Sequence, residues 1–282
     1  MSRFIPLVPY PTQTLEGMDD VRSAAPALPE GARLRDHEIV GCIGQGGFGV
    51  VYLAWDPALA QHIAIKEYLP AALASRASAS PSVVVRSQRH MGPFRAGLRS
   101  FVQEARTLAQ FDHPALVCVL DHWEANGTAY IAMPYYVGPT LGQAVLDLGQ
   151  PPDEATLRGW LGPLLDALDT LHAADCLHRD IAPDNILLTQ DGPVLLDFGA
   201  ARRVVDDGAA GVVVKPGFTP IEQYGRAPAM PQGPWTDLYA LAAYTTAAIT
   251  GQPPPPATER LMDDRLRPLA DAARGRYGAE FL

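Results

Sequence analysis

The alternation of hydrophobic and polar positions divides the chain into three parts. Residues 1–32 carry many prolines and no regular period, which is typical of a flexible leader. Residues 33–134 contain short runs of β-branched and aromatic residues separated by glycine and polar turns, a pattern that predicts strands. Residues 135–282 carry longer runs with a helical period, which predicts helices.

Five strands and one helix are predicted in residues 33–134. Three strands come from "HEIVGCIG", "VVYLAW" and "QHIAIKEYL", and two flank the dipeptide "NG" at 126–127, which favours a hairpin turn. Residues 71–92 are small, polar and basic, so an insertion or loop is predicted there. The helix follows, because apolar residues recur at spacings of four and three from Phe94 to Leu108.

Three helices are predicted in the second half. The segment "TLGQAVLDL" is short, whereas "DEATLRGWLGPLLDALDTLHAA" is long and has Asp153 as its candidate N-cap. Pro163 inside it predicts a kink or a late start. The third, "WTDLYALAAYTTAAITG", is apolar almost all round, which predicts burial, and Gly251 ends it. Strands followed by helices predict an α+β fold with two lobes, joined near Pro134.

Composition and charge narrow the class of protein. The chain has 282 residues, of which 48% are hydrophobic, enough for one large domain or two small ones. A formal net charge of -9 argues against nucleic acid as a partner. Three cysteines and no apolar run of membrane-spanning length favour a cytoplasmic protein without a membrane segment.

Two motifs near the start of the strand-rich part suggest phosphate binding. Gly44, Gly46 and Gly49 fit G-x-G-x-x-G, and a strand follows them, so they form a flap whose backbone N–H groups can approach phosphate oxygens. A tight hairpin without a ligand is the alternative for the glycines alone. Lys66 ends "IAIK" on an apolar strand, and Glu104 lies in the predicted helix. A solvated surface pair, the ordinary alternative for a lysine and a glutamate, does not suit a lysine on an apolar strand.

Further motifs follow in the second half. The segment "HRDIAPDN", 178–185, contains Asp180 and Asn185, and "LLDFG" places Asp197 after an apolar run. The segments "PIEQYG" and "TDLYAL" come later in the chain. In this order the motifs resemble those of the eukaryotic-like serine/threonine protein kinases, and within them a bacterial type, over about residues 35–282.

The resemblance implies a two-lobed protein-kinase fold. Its N-lobe, 33–134, would be an antiparallel sheet with one main helix, and its C-lobe, 135–282, would be mostly helical. The resemblance also implies ATP and Mg²⁺ as cofactors and proteins as substrates, with transfer of the γ-phosphoryl group to serine or threonine. Two other functions stay open: a nucleotide-binding pseudokinase scaffold, and a small-molecule phosphotransferase of the same fold.

The resemblance further implies a role for each site residue. Lys66, paired with Glu104, would hold the α- and β-phosphates, Asp180 would take the hydroxyl proton, and Asn185 and Asp197 would bind Mg²⁺. The adenine pocket would be lined by Val51, Ala64 and Leu187, with Met133 as gatekeeper, the Pro134 carbonyl and the Tyr136 N–H. His178, Phe198 and Leu108 would stack into a spine. Asp237 would clamp the catalytic loop, residues 178–185.

The chain departs from the family at a charged position. Most serine/threonine kinases carry lysine two residues after the catalytic aspartate, where this chain has Ala182. In the docking loop, Lys215 occupies the position of the family's threonine in G-T-P-G-Y. We therefore hypothesise that the Lys215 ammonium takes the place of the missing one, close to Asp180. The alternative is that Lys215 points to solvent or binds acidic substrates.

Two further departures concern regulation and the chain end. Residues 200–218 contain no Ser, Thr or Tyr, so the usual activating phosphosite is absent. Arg179, which would bind that phosphate, is expected either to pair with Asp206 or Asp207 or to bond backbone carbonyls. Glu222 lacks the arginine partner found later in the family. Because a buried unpaired Glu222 would be costly, a C-lobe cut short of its native end is expected.

Overall fold

A six-stranded antiparallel sheet forms the first lobe of the computed structural model, which describes residues 13–14, 27–78, 80–197, 213–224, 230–273 and 275–282. The strand order is β2-β3-β4-β5-β9-β8. The strands are β2 Arg33–Leu34, β3 His37–Gln45, β4 Gly49–Asp56, β5 Gln61–Tyr68, β8 Asp121–Ala125 and β9 Thr128–Pro134. The five strands predicted from the sequence are confirmed, and β2 is a short addition at the edge.

The register of the central strands decides which side chains share a face. Val51 on β4 lies opposite Lys66 on β5, and Ala64 on β5 lies opposite Met133 on β9. Directly paired residues point to the same face of a sheet, and alternate residues along a strand do as well. The four side chains therefore line one face, and Glu67, the neighbour of Lys66, points to the other.

The segment between β5 and the helix, predicted to be an insertion or loop, contains two short strands in its described residues. It forms a second hairpin from β6, Ala74–Arg76, and β7, Val83–Val85. Arg76 is almost completely buried and its Nη2 lies 2.5 Å from Glu67 Oε2. A serine-rich stretch with three-residue strands carries too little pattern to predict such a hairpin, because a buried ion pair to the preceding strand β5 holds it.

Two tyrosines complete this buried polar cluster. The Tyr52 hydroxyl donates to Glu67 Oε2 at 2.6 Å and the Tyr130 hydroxyl donates to Oε1 at 3.0 Å. Leu28 lies in the same core, and its N–H donates to the Tyr52 hydroxyl at 3.1 Å. The packed part of the chain therefore starts before residue 33, inside the range expected to be a flexible leader.

Helix α1, Met91–Leu108, packs one apolar stripe against the sheet as its periodicity predicts. Phe94, Phe101, Ala105 and Leu108 are buried, and so is Glu104. The ring of Tyr68 at the end of β5 lies 5.3 Å from that of Phe94. The helix is thereby held against the strand that carries Lys66.

The second lobe is mainly helical. Its helices are α2 Leu141–Leu148, α3 Glu154–Ala173, α4 Pro234–Thr250, α5 Ala257–Met262 and α6 Leu269–Ala272. The side chain of Asp153 accepts from the Thr156 N–H at 2.8 Å, which confirms it as the N-cap of α3. A late start at Pro163 is wrong, since α3 runs through it. Pro163 has no N–H to donate to the carbonyl of Gly159, and Gly159 is exposed to water.

A short hairpin and a separate pair of two-residue strands lie outside the main sheet. Strands β10, Ile186–Thr189, and β11, Gly192–Leu195, pair directly after the catalytic-loop motif. Strand β12, Val213–Val214, pairs antiparallel with β1, Gln13–Thr14, so part of the leader lies beside the segment that precedes Lys215. No helix in the described ranges is both long and apolar enough to cross a membrane.

Candidate active site

The ammonium of Lys66 lies between two carboxylates. Its Nζ is 2.7 Å from Asp197 Oδ1 and 3.6 Å from Glu104 Oε1. Burial disfavours the charged ammonium, but the attraction of Asp197 and Glu104 outweighs burial and raises the Lys66 pKa above its usual value. Lys66 is therefore a fixed positive charge throughout the neutral pH range.

The glycine flap is built by β3 and β4. Gly46 N–H donates to the Gly49 carbonyl at 3.0 Å, which closes the turn between the strands. A Cβ on Gly49 would lie 2.2 Å from the Glu67 carbonyl oxygen, so only glycine fits there, whereas a Cβ on Gly46 would meet nothing within 4 Å. The flap tip is therefore open, and Gly44 packs against Val51 at its base.

The residues expected around adenine come from both lobes. Ala64 is buried, and Val51, Met133 and Leu187 are half-buried, as expected of side chains that line an open cleft. Leu187 on β10 forms an isolated bridge with Thr140, which brings β10 to the residues that connect the lobes.

The connecting segment between the lobes starts at the end of β9. Pro134 ends this strand, and the hydroxyl of Tyr136 accepts from the Cys118 N–H at 3.2 Å. A Cβ on Gly138 would lie 2.1 Å from the Leu188 carbonyl oxygen. The close approach of this backbone requires glycine and fixes the connection against β10.

The catalytic loop is clamped by a buried carboxylate. Asp237, in the first turn of α4, accepts from the His178 N–H at 2.9 Å and from the Arg179 N–H at 2.6 Å. His172, at the end of α3, adds a third contact, 2.9 Å from its Nε2 to Asp237 Oδ2. The sequence reasoning anticipated the clamp but missed His172, for which only its position near the end of α3 gave a signal.

His178 fixes the backbone of Asp180 through one ring tautomer. Its Nε2 lies 2.8 Å from the Leu196 carbonyl, which can only accept, so Nε2 carries the proton. Its Nδ1 then accepts from the Asp180 N–H at 3.3 Å. Burial lowers the pKa of His178 and keeps the ring neutral, although Asp237 and the Leu196 carbonyl oppose this shift.

Asn185 is tied to Asp180 and has the donor set that a magnesium site needs. Its Nδ2 donates to the Asp180 carbonyl at 2.9 Å and to Asp180 Oδ2 at 3.0 Å, so its amide oxygen remains as a ligand atom. Asp197 supplies a carboxylate, and its φ of 39° is in the left-handed region. Mg²⁺ bound together with phosphates requires only one or two protein ligands, so this pair fits.

Lys215 faces the catalytic loop from the docking loop. Its Nζ lies 3.9 Å from Asp180 Oδ1, and the two side chains are only 21% and 22% exposed. A turn holds the lysine backbone, because the Lys215 N–H donates to Thr219 Oγ1 at 2.8 Å. Ala182 is fully buried against Phe218 and α4. It therefore fills a packed position.

Glu222 differs from the expectation of a buried, unpaired carboxylate. It is half-buried, and its Oε1 accepts from the hydroxyl of Thr236 at 2.7 Å. The described chain therefore satisfies this group from α4. Phe198, Asp206 and Asp207 lie outside the described residues, so their expected contacts stay predictions.

Comparison with known proteins identifies the family. A family model described as protein kinase domain matches residues 37–271. The solved structure of PpkA-294 in its apo form is 46% identical, with a TM-score of 0.80 over 90% of this chain and 89% of that one. The kinase domain of PknI from Mycobacterium tuberculosis is 26% identical, with a TM-score of 0.61 over 89% and 88% of the two chains. This chain belongs to the protein kinase domain family, and its two-lobed α+β fold is the protein-kinase fold.

The curated relatives are bacterial serine/threonine-protein kinases. Serine/threonine-protein kinase B of Synechocystis is 28% identical over 77% of this chain and 37% of its own length. PknK of Mycobacterium tuberculosis is 33% identical over 82% of this chain and 19% of its own length. The chain thus spans well under half the length of these relatives. Their names support the predicted resemblance to bacterial eukaryotic-like kinases and do not favour the two alternative functions.

Proposed function

We propose that this chain is the catalytic domain of a serine/threonine protein kinase that transfers the γ-phosphoryl group of ATP to protein hydroxyls. One observation carries the proposal: the half-buried Lys66 ammonium bridges Glu104 and Asp197, on the face that β4, β5 and β9 present to the catalytic loop. A pseudokinase has no need of this arrangement together with an intact Asp180 and Asn185.

The reaction requires one bond to form and one to break. The oxygen of the substrate hydroxyl bonds to the γ-phosphorus, the bond from that phosphorus to the bridging oxygen breaks, and ADP leaves. The hydroxyl proton passes to the Asp180 carboxylate. Mg²⁺, when bound by Asn185 and Asp197, supplies positive charge at the phosphate oxygens. The adenine pocket is formed by Val51, Ala64, Met133 and Leu187. The Pro134 carbonyl accepts from the adenine amino group, and the Tyr136 N–H donates to the ring.

Lys215 supplies the charge that the catalytic loop lacks. Its ammonium is 3.9 Å from Asp180, within reach of a phosphoryl group that approaches this carboxylate. The sequence adds a second argument: among 22 lysines and arginines, the only lysines are Lys66 and Lys215. The chain uses arginine at every other basic position, which indicates that both sites need the compact ammonium.

The test is transfer of labelled phosphate from γ-labelled ATP with Mg²⁺. Transfer to a casein-like protein or to the chain itself at serine or threonine is expected. Transfer to neither, despite nucleotide binding, would favour a pseudokinase, and transfer to small hydroxyl compounds alone would favour a small-molecule phosphotransferase. A Lys66→Met variant is the control for contaminating kinases, because it lacks the ammonium that holds the α- and β-phosphates.

A further inference from the structure

The peptide that joins Arg179 to Asp180 is held at both of its polar atoms. Its carbonyl oxygen accepts from Gln223 Nε2 at 3.2 Å, and its N–H donates to His178 Nδ1 at 3.3 Å. The backbone of Arg179 itself is strained, because its φ is 67°. A non-glycine residue persists in this left-handed region only when its surroundings hold it there.

The contacts on the two sides of Arg179 come from different elements. Asp237 on α4 accepts from the Arg179 N–H at 2.6 Å. Gln223 ends the 3-10 helix Ile221–Gln223, which follows the docking loop of Lys215 to Thr219. The loop and this helix together, residues 215–223, form the docking segment. The Gln223 side chain thus connects the docking segment to the backbone of Arg179.

The docking segment is rigid enough to transmit this contact. Both the Phe218 N–H and the Thr219 N–H donate to the Lys215 carbonyl, at 2.9 and 3.0 Å. The ring of Phe218 stacks on Tyr244 of α4 with ring centroids 4.1 Å apart. From this one segment, Lys215 therefore approaches the Asp180 carboxylate and Gln223 approaches the carbonyl of the preceding residue, Arg179.

The sequence shows why such a contact is needed. A phosphate on the activation segment would be the usual means of fixing Arg179, and residues 200–218 contain no hydroxyl that could carry one. The backbone contact from Gln223 acts on the same residue without any modification.

We propose that Gln223 is a positioning residue that fixes the Arg179–Asp180 peptide, and so ties the substrate-docking segment to the catalytic aspartate. This inference rests on the proposed kinase function. Gln223 acts through the backbone of Asp180 and does not itself touch ATP. Its loss therefore lowers the rate of the chemical step rather than the affinity for either substrate.

Substitutions that separate donor ability from size test the proposal. Gln223→Met and Gln223→Glu keep the approximate size but cannot donate, so kcat for phosphoryl transfer should fall roughly three- to tenfold, the effect of one net hydrogen bond. KM for ATP and for the protein substrate should change less than about twofold. Gln223→Lys keeps a donor and should retain more activity than Gln223→Met.

The matched control is Gln110→Met. Gln110 Nε2 makes the same type of bond, to the Arg106 carbonyl at 3.2 Å, from an exposed position two residues beyond the end of α1 and far from the catalytic loop in sequence. Its substitution should leave kcat unchanged. The slow hydrolysis of ATP without protein substrate should fall in parallel with transfer in Gln223→Met, because Asp180 also orients the attacking water.

Two outcomes would overturn the inference. A raised KM for the protein substrate with unchanged kcat and ATP hydrolysis would make Gln223 a substrate contact. Unchanged hydrogen exchange of the backbone amides in 178–185 in Gln223→Met would show that the contact does not hold the peptide. Hydrogen exchange requires no activity, so failure of the wild-type chain to transfer phosphate would refute the proposed function and still leave the contact testable.

Discussion

Removal of the Lys215 charge should reduce turnover by roughly a hundredfold. The ammonium lies 3.9 Å from the Asp180 carboxylate and both side chains are about four-fifths buried. Two unit charges at this separation interact by about 1 kcal/mol in bulk water and about 4 kcal/mol at the effective dielectric of a protein surface. Since 1.4 kcal/mol corresponds to a tenfold change in rate, these energies correspond to a loss of about fivefold to several hundredfold in kcat. Removal of one hydrogen-bond donor to a developing anion typically lowers kcat by about a hundred- to a thousandfold, which overlaps with this range.

The variants Lys215→Met and Lys215→Arg separate charge from packing. Methionine keeps the unbranched stem without the ammonium, whereas arginine keeps a positive charge in a planar, bulkier form. We expect kcat to fall roughly a hundredfold in Lys215→Met and less in Lys215→Arg, with KM for ATP within about threefold of wild type. Initial rates of γ-phosphate transfer at varied ATP and saturating protein substrate measure both constants.

A compensating exchange sharpens this prediction. Lys215→Thr with Ala182→Lys recreates the arrangement of most serine/threonine kinases and should recover part of the lost kcat. Ala182 is buried against Phe218, so thermal unfolding of the double variant must be measured alongside. A loss of less than about threefold in Lys215→Met would refute the electrostatic role. So would a loss confined to KM for the protein substrate, because it would place Lys215 in substrate binding.

Four further predictions concern other parts of the site. Lys66→Met should abolish transfer while the circular dichroism spectrum stays unchanged, and full activity would refute the phosphate-binding role. Phosphatase treatment should not inactivate the chain through residues 200–218, and mass spectrometry that finds an essential phosphate there would contradict this. Burial lowers the His178 pKa, so the stability contributed by the neutral ring is complete above the unfolded pKa of about 6.5 and is lost as pH falls through the folded pKa. The unfolding temperature of wild type should therefore fall more steeply on acidification than that of His178→Phe. Parallel curves for the two proteins would argue against the lowered pKa. Gly138→Ala should lower the unfolding temperature by several degrees, because its Cβ would lie 2.1 Å from the Leu188 carbonyl oxygen, and an unchanged temperature would show that the backbone yields there.

The sequence predicted those parts of the molecule that depend on local pattern or on motif order. The five long strands, helix α1 and the N-cap at Asp153 follow from periodicity and capping chemistry. The turn at 126–127 follows from the dipeptide "NG", which tolerates the two positive φ angles that the structure has there. The position of Lys215 near Asp180 was inferred from a lysine that disappears at 182 and one that appears at 215. The first set of predictions uses information contained in short stretches of chain, whereas the Lys215 inference uses the order of the family's motifs.

Contacts between distant segments could not be predicted in this way. The β6–β7 hairpin depends on the buried pair of Arg76 and Glu67, nine residues apart and on different strands. His172 and Gln223 reach the catalytic loop from α3 and from the docking segment, and neither residue type is distinctive by itself. Such polar contacts depend on the packing of whole elements, which a local pattern does not encode.

The placement of both lysines in the cleft has a practical consequence for anyone who handles this protein. The side chains of Lys66 and Lys215 are 19% and 21% exposed, and the sequence has no other lysine. Reagents that acylate amines can therefore modify only the terminal amine or the active site. Amine coupling to a sensor surface, common dyes and lysine cross-linkers would immobilise the chain by its terminus or inactivate it. Labels for this protein should instead be directed to the exposed thiol of Cys118, because the other exposed thiol, Cys42, lies on the flap strand β3.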